Sequence, residues 1–322
     1  MIDKRDFLRG LAALPLVTAA AGAWPQAFPS KPIQLVVAFA PGGAGDIVAR
    51  LVAKKMSEGL GQTVIIENRP VPVAAVQTVA RARPDGYTLI MAGSGTALTS
   101  ALFNKLPYDL MKDFVHVSTL ASFDLTLVTD PASGFRTVAD VLAYGRANPG
   151  RLTIATARVG STQNLTAEMF KAMAGIDALI VPFKTTGEIL TALRSKDVQV
   201  AFEILPPVLS QISSQAVRPL AVTSTRRFAG LPDVPTLAES GVPGFESASW
   251  NGVAVPAGTP PEVVRRLAAE VARAIASPEL QRELRSHGAE GRASSPEQMA
   301  ERMRADIAKW RTVIDKAGIP RQ

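Results

Sequence analysis

The sequence predicts an α/β protein in which parallel strands are covered by helices, laid out in two consecutive blocks. Three observations carry this. From about residue 30, apolar runs of strand length alternate with amphipathic stretches of helix length. The junctions between them are glycine-rich loops or helix-capping signatures. After one round of strands and helices, the same alternation starts again near residue 137.

Residues 33–39 form an apolar run, the pattern of a strand buried on both faces. Pro41-Gly42-Gly43-Ala44-Gly45 breaks it. A helix follows with Ile47, Val48, Leu51, Val52 and Met56 on one stripe, Asp46 at the expected N-cap, and Gly59 and Gly61 at its end. Residues 63–67 and 87–92 read as the next strands. In the second block, Thr137-Val138-Ala139-Asp140 is a capping box that opens a helix, and Asn148-Pro149-Gly150 closes it. Residues 152–156 form a strand, and a loop at 157–162 leads into a helix carrying Leu165, Met169 and Met173. Further strands are expected at 178–181, 198–202 and 219–222. The C-terminal part is mostly helical. Thr259-Pro260-Pro261-Glu262 and Ser295-Pro296-Glu297-Gln298 both read as capping boxes with proline at the first helical position. The last helix lines up Met299, Met303, Ile307, Trp310 and Ile314, a stripe suited to core packing.

Composition narrows the chemistry. The 322 residues contain no cysteine, which excludes a disulfide framework, a thiol nucleophile and a thiolate metal site. Two histidines, His116 and His287, are too few for an ordinary zinc or non-haem iron centre, and no cofactor is expected. The formal charge of +7 is spread along amphipathic segments where Lys and Arg alternate with Asp and Glu. No basic stretch is interleaved with aromatics, so nucleic acid is not an expected partner.

The first 23 residues read as an export signal. Lys4, Arg5 and Arg9 precede an apolar run at 11–23, which ends in Ala21-Gly22-Ala23, a small-x-small cleavage pattern. That run is too short to span a bilayer comfortably. The stretch around Lys4-Arg5 resembles a twin-arginine signal with lysine in the first place, so both the Tat and the general secretion routes stay open. Its removal takes three basic and two acidic residues and leaves a charge of +6.

The candidate site follows from the same alternation. The loop from Pro41 to Asp46 joins a strand's C-terminal end to a helix N-terminus, where free N–H groups and the helix dipole favour an anion. Gly42, Gly43 and Gly45 let the backbone approach a ligand. This arrangement holds a carboxylate without Lys or Arg. A nucleotide loop is excluded by the missing Lys-Ser/Thr ending of a Walker motif and by the spacing; a plain tight turn remains the structural alternative. Ser94, Gly95 and Thr96 follow the strand at 87–92 and belong at the same sheet edge. Gly160, Ser161 and Thr162 open a helix in the second block, as ligand donors or as caps. His116 lies in an expected strand and His287 at a helix end, and neither serves as a base for these hydroxyls.

Several segments, in order, carry a family resemblance: Phe28-Pro29-Ser30-Lys31-Pro32-Ile33, Phe39-Ala40-Pro41-Gly42-Gly43-Ala44-Gly45-Asp46, Glu67-Asn68-Arg69-Pro70, Pro84-Asp85-Gly86-Tyr87-Thr88, Leu106-Pro107-Tyr108-Asp109, Leu231-Pro232-Asp233-Val234-Pro235-Thr236 and Val255-Pro256-Ala257-Gly258-Thr259-Pro260. Through them the chain resembles the substrate-binding proteins of tripartite tricarboxylate transporters, the TctC or Bug family. The resemblance implies a type II-like Venus-flytrap fold in the periplasm, with two Rossmann-like α/β lobes joined by a hinge. Lobe 1 would comprise residues 24–123 and 248–322, and lobe 2 residues 124–247. The extended segments at 120–128 and 249–255 would cross between them. It implies a small carboxylate ligand held largely by backbone groups and enclosed by hinge closure. It further implies a monomer that delivers its cargo to membrane transporter subunits, or its ligand state to a sensor protein. An exported enzyme is the remaining rival, and it lacks a nucleophile–base pair.

The implied ligand-binding set is Phe39, Ala40, Pro41, Gly42, Gly43, Ala44, Gly45, Asp46, Ser94, Gly95, Thr96, Arg158, Gly160, Ser161, Thr162, Asn164, Phe183, Lys184 and Glu203. Phe39, Phe183 and Trp250 stand as flanking aromatics or as core. The chain departs from the family at four points. Val71-Pro72-Val73-Ala74-Ala75 replaces a glycine-rich run, Asn164 stands where histidine is frequent, Glu203 where aspartate is frequent, and Arg158 in a usually small, neutral loop. Arg158 reads either as a partner for a second ligand carboxylate or as a solvent-facing side chain. Glu203 reads as a contact for a ligand ammonium or hydroxyl.

Overall fold

The computed structural model of the protein describes residues 28–38, 41–69 and 71–322. Strand β1 (Ile33–Val37) is buried except at Gln34 and leads towards α1 (Ala44–Leu60), whose stripe of Val48, Val52, Met56 and Leu60 is buried. Gly61 ends α1 in the left-handed conformation, its N–H donating to the Ser57 carbonyl. The chain continues through β2 (Val64–Asn68), α2 (Pro72–Ala80), β3 (Thr88–Gly93), α3 (Ser94–Leu102) and the long β4 (Phe114–Thr129). The second round comprises α4 (Val138–Ala147), β5 (Leu152–Ala157), α5 (Thr162–Ala174), β6 (Ala178–Phe183), α6 (Thr186–Arg194), β7 (Val200–Ile204), α7 (Leu205–Ser213) and β8 (Arg218–Val222). The chain then returns through β9 (Ala248–Pro256), α8 (Pro261–Ile275), α9 (Pro278–Ser286), β10 (Ala289–Gly291) and α10 (Pro296–Lys316).

Thr137 and Ser295 form the expected capping boxes at α4 and α10. Two capping expectations are corrected. The N-cap of α1 is Gly43, which places Asp46 third in the helix; from there its carboxylate reaches back past the cap to accept from the Gly42 N–H. The N-cap of α8 is Pro260, because a residue before proline is pushed out of helical geometry. The Thr259 hydroxyl donates instead to the Pro256 carbonyl.

The strands run in the order β2-β1-β3-β9-β4-β7-β5-β6, with β10 and β8 also on β4. β1 pairs in parallel with β2 and β3, and β5 with β6 and β7. β4 and β9 are antiparallel to their neighbours, which modifies the all-parallel expectation. The reason is topological: β4 carries the chain out of the first sheet and β9 carries it back alongside. Within β4, residues 114–124 pair with β9, and Leu125 to Thr129 pair with β7. Thr223 knits the crossing point, exchanging backbone hydrogen bonds with Leu125 and Ser247.

Apolar clusters cover both faces of each sheet. One contains α1 and α8 residues such as Val52 and Leu267, and its opposite contains Val76, Met299 and Met303. The second sheet is covered by Phe170 and Phe202 on one face and by Ile189 and Val208 on the other. A smaller cluster of Leu98, Leu102, Leu165, Trp310 and Ile314 joins α3, α5 and α10 across the two lobes.

Candidate functional site

The loops singled out in the sequence follow the C-terminal ends of β1, β3, β5, β6 and β7. Because β1 pairs with β3, and β5 with both β6 and β7, these loops gather in two groups, one per lobe. Phe39 and Ala40 lie outside the described residues, as do Pro70 and the segment read as an export signal.

In the first group Pro41, Gly42 and Gly43 are exposed. Gly42 has φ +83°, a conformation that a side chain would strain. Ala44, Gly45 and Asp46 are the first three residues of α1, so their N–H groups have no acceptor within the helix. Asp46 itself turns inward. Its carboxylate is 2 % exposed and accepts from the Gly42 N–H (2.9 Å), Arg50 Nε (2.9 Å) and Asn68 Nδ2 (2.7 Å). Burial pushes this carboxyl up, but Arg50, Gly42 and Asn68 together outweigh it and hold it below its ordinary value. Asp46 therefore sets the shape of the loop, and what the loop exposes at Pro41 to Gly43 carries no charged side chain.

The side chains after β3 are committed within the protein. Ser94 Oγ accepts from the Trp250 N–H at 3.0 Å, and Thr96 Oγ1 both donates to the Gly93 carbonyl and accepts from the Gly93 N–H. Gly95 stays exposed between them. Trp250 belongs to the core: it is 1 % exposed, with its indole N–H on Asp306.

In the second group Gly160 takes φ +75°, and a Cβ there would come within 2.8 Å of Leu102 Cδ2, across the lobe boundary. Its N–H donates to Asn164 Oδ1, while Ser161 caps α5 by accepting from the Asn164 N–H. Thr162 opens the helix. Asn164 thus holds the turn that it was expected to help line. Arg158 is exposed, next to Val159, which is 54 % exposed. Phe183 packs against the α6–α7 core, and the N–H of exposed Lys184 donates to Glu188. Glu203 is 1 % exposed and accepts from Gln163 Nε2 (3.2 Å), Thr186 Oγ1 (3.0 Å) and the Ile204 N–H (3.1 Å). Burial raises its affinity for a proton, and the three hydrogen bonds offset only part of that.

Gln163 and Thr186 were not picked out from the sequence. Thr185 and Glu188 form a capping pattern that marks the start of α6 and would have brought Thr186 to the same edge. Among the described residues no group of three or more His, Asp or Glu is arranged to hold a metal ion, and no helix is long and apolar enough to cross a membrane.

Two α/β lobes that share a crossing strand, with helix N-termini gathered at the facing sheet edges, define a two-lobed solute-binding protein. The chain belongs to the tripartite tricarboxylate transporter family receptor family, TctC, whose family model matches residues 48–319. Protein BugT of Bordetella pertussis is 32% identical over 321 residues, covering 97% of this chain and 98% of BugT. Among solved structures, R. palustris Rpa4515 with adipate is 36% identical with a TM-score of 0.79, covering 91% of this chain and 99% of that one. MatC (Rpa3494) from Rhodopseudomonas palustris with bound malate is 31% identical with a TM-score of 0.74, covering 89% and 100%. Proteins of this family are periplasmic binding proteins, not enzymes.

Proposed function

We propose that this chain is exported through residues 1–23 and works in the periplasm as a monomer, capturing a small organic carboxylate and handing it to the membrane subunits of a tripartite tricarboxylate-type transporter. The observation that carries the reading is the α1 N-terminus. Its first-turn N–H groups have no acceptor within the helix and follow the exposed Gly42 and Gly43 at the sheet edge, in a fold whose relatives are seen with adipate and malate. The ligand carboxylate rests against Gly43, Ala44 and Gly45, opposite the Arg158 to Thr162 turn and the loops after β6 and β7. Residues 124–247 rotate as one lobe against the remainder, with the crossing near Leu125, Thr223 and Ser247 as the hinge.

The test is thermal unfolding of the exported protein, stripped of co-purified ligand by unfolding and refolding, against mono-, di- and tricarboxylates, amino acids and neutral sugars. A ligand at 100 times its dissociation constant stabilises by about 2.7 kcal/mol, a shift of a few degrees for a chain of this size. A selective shift with carboxylates is expected. Shifts with sugars alone would sink the reading.

A further inference from the structure

On the face that carries α10, a cavity of about 490 Å³ lies beside the stretch where β4 and β9 cross between the sheets. Its volume is that of a small-molecule site. None of the residues placed around the carboxylate above lines it.

The lining is almost all charge and hydroxyl, and the charges fall into two groups. The first is built on α10, where Arg302, Asp306 and Lys309 share one stripe. Arg292 and Glu246 act on the same stripe, which leaves it one positive charge in excess. The second is built on β4 and β10. Ser122 and Asp124 point to the same side of β4, and Glu290 stands opposite Ser122 in the ladder. Arg226, after β8, pairs with Glu290 at 3.3 Å, and Asp124 is left as one negative charge in excess.

Among the described residues, no other charged side chain of the lining is in an ion pair. Neutral groups hold them in place instead. The Arg302 guanidinium lies 4.7 Å from the centre of the Trp250 ring and donates to Ser122 Oγ at 3.4 Å. Asp306 accepts the Trp250 indole N–H at 2.6 Å, and Lys309 Nζ donates to the Glu246 carbonyl at 2.5 Å. Burial works against the charged form of Arg302, Lys309, Asp306 and Asp124 alike. Partly buried charges of this kind gain most from a ligand that brings the opposite charges. A lone anion satisfies α10 and faces Asp124 and Glu290; a lone cation meets the reverse.

We propose that this cavity is a second binding site, for a small zwitterion whose carboxylate rests on Arg302 and Lys309 and whose ammonium rests on Asp124 and Glu290. Asp124 adjoins the part of β4 that joins the second sheet, and α10 packs on the first, so the zwitterion bridges the two at their crossing.

The experiment is calorimetric titration of the exported protein, stripped of co-purified ligand, at pH 8, where Asp124, pushed up to about 6, is ionised. The probes are glycine, β-alanine, 4-aminobutyrate and 6-aminohexanoate, with butyrate and butylamine as single-charge controls. At least one zwitterion is expected to saturate a single site. Lys309→Gln and Asp124→Asn should each weaken it at least tenfold, the loss of a hydrogen bond between charged groups. Lys309→Arg, which keeps the charge, should weaken it by less than about threefold. Lys309→Gln should leave butyrate unchanged, and Asp124→Asn should leave butylamine unchanged. Gly95→Trp, at an exposed position beside the carboxylate, should leave the zwitterion unchanged. The Trp250 indole N–H resonance should move as the zwitterion is added, because Asp306 holds that group at the cavity. No binding by any of the four, binding that both charge variants leave intact, or binding abolished by Gly95→Trp would overturn the proposal. So would an indole resonance that stays still, or butyrate weakened by Lys309→Gln as strongly as the zwitterion.

Discussion

Asp46 and Glu203 are both almost fully buried acids at strand–helix junctions, yet their surroundings push them in opposite directions. Asp46 has Arg50 as a charged partner as well as two neutral donors, and its proton affinity falls. Glu203 has neutral donors alone, and burial wins. The native state thus binds the Asp46 proton less tightly than the unfolded chain does. Its contribution to stability is present above the ordinary pKa of 3.8 and is lost as pH falls through the lower folded value. Asp46→Ala should cost about 1–3 kcal/mol at pH 7, as expected for removing a buried acceptor with three donors. The gap to wild type should persist at pH 4 and narrow as pH falls below 3.8, which unfolding midpoints at pH 7, 4 and about 2.5 would show. Gly160→Ala tests the facing turn. It should destabilise by about 1–2 kcal/mol because alanine is strained at this positive φ and Leu102 must move, and the unfolding midpoint should drop accordingly.

Strand β4 holds two ionisable groups that work against each other. His116 is 4 % exposed, and its Nε2 has no hydrogen-bond partner among the described residues. Burial, helped by the charge of Arg304, lowers its pKa from 6.5 to about 4. Asp124, next to the point where β4 changes sheets, is pushed from 3.8 up to about 6 by burial and by Glu290, with Ser224 and Arg226 opposing. The native state resists protonation of His116, so that stability is present above pH 6.5 and is lost as pH falls through 4. For Asp124 the native state favours the proton, so that stability is present below pH 3.8 and is lost as pH rises through 6. Each effect is on the order of 3 kcal/mol at most. His116→Leu should flatten the loss of midpoint between pH 6.5 and 4. Asp124→Asn should raise the midpoint at pH 8 and leave it unchanged near pH 4. Midpoints for wild type and both variants across pH 4–8 check both expectations. At this level the sequence was a good guide where a pattern is local. The Thr137 and Ser295 capping boxes and the α10 stripe stand where periodicity and cap chemistry put them, with Met299, Met303, Trp310 and Ile314 all buried. It was a poorer guide where two prolines compete for the first turn, as at α8. α7 had no counterpart among the expected elements, although Leu205, Val208, Leu209 and Ile212 recur at helical spacing around Pro206 and Pro207.

The two-block rhythm announced two lobes, but contacts between residues far apart in the chain have no local signature. Leu165 meeting Leu102, and Gln163 and Thr186 meeting Glu203, depend on how β5, β6 and β7 are ordered in the sheet. The candidate site was legible as a set of loops, and several of its side chains prove to hold those loops instead of facing outward. Ser94, Thr96 and Asn164 all spend their hydrogen bonds on neighbouring backbone or on buried partners. The cluster joining α3, α5 and α10 ties the lobes together on one side. Leu165→Ala should destabilise by about 2–5 kcal/mol, and, because it loosens a contact between lobes, it should also change the rate of ligand release in stopped-flow measurements. A release rate equal to wild type would show that this cluster does not resist lobe motion.

β4 contributes residues to both sheets, and this has a thermodynamic side. If the second sheet melts, the first loses the partner that keeps β9 and β10 in register. Neither lobe can then be assigned a stability of its own, and heat should reveal no stepwise loss. Scanning calorimetry should show one peak whose van't Hoff and calorimetric enthalpies agree. In this molecule the parts that move separately need not be the parts that fold separately, because one strand makes them a single cooperative unit.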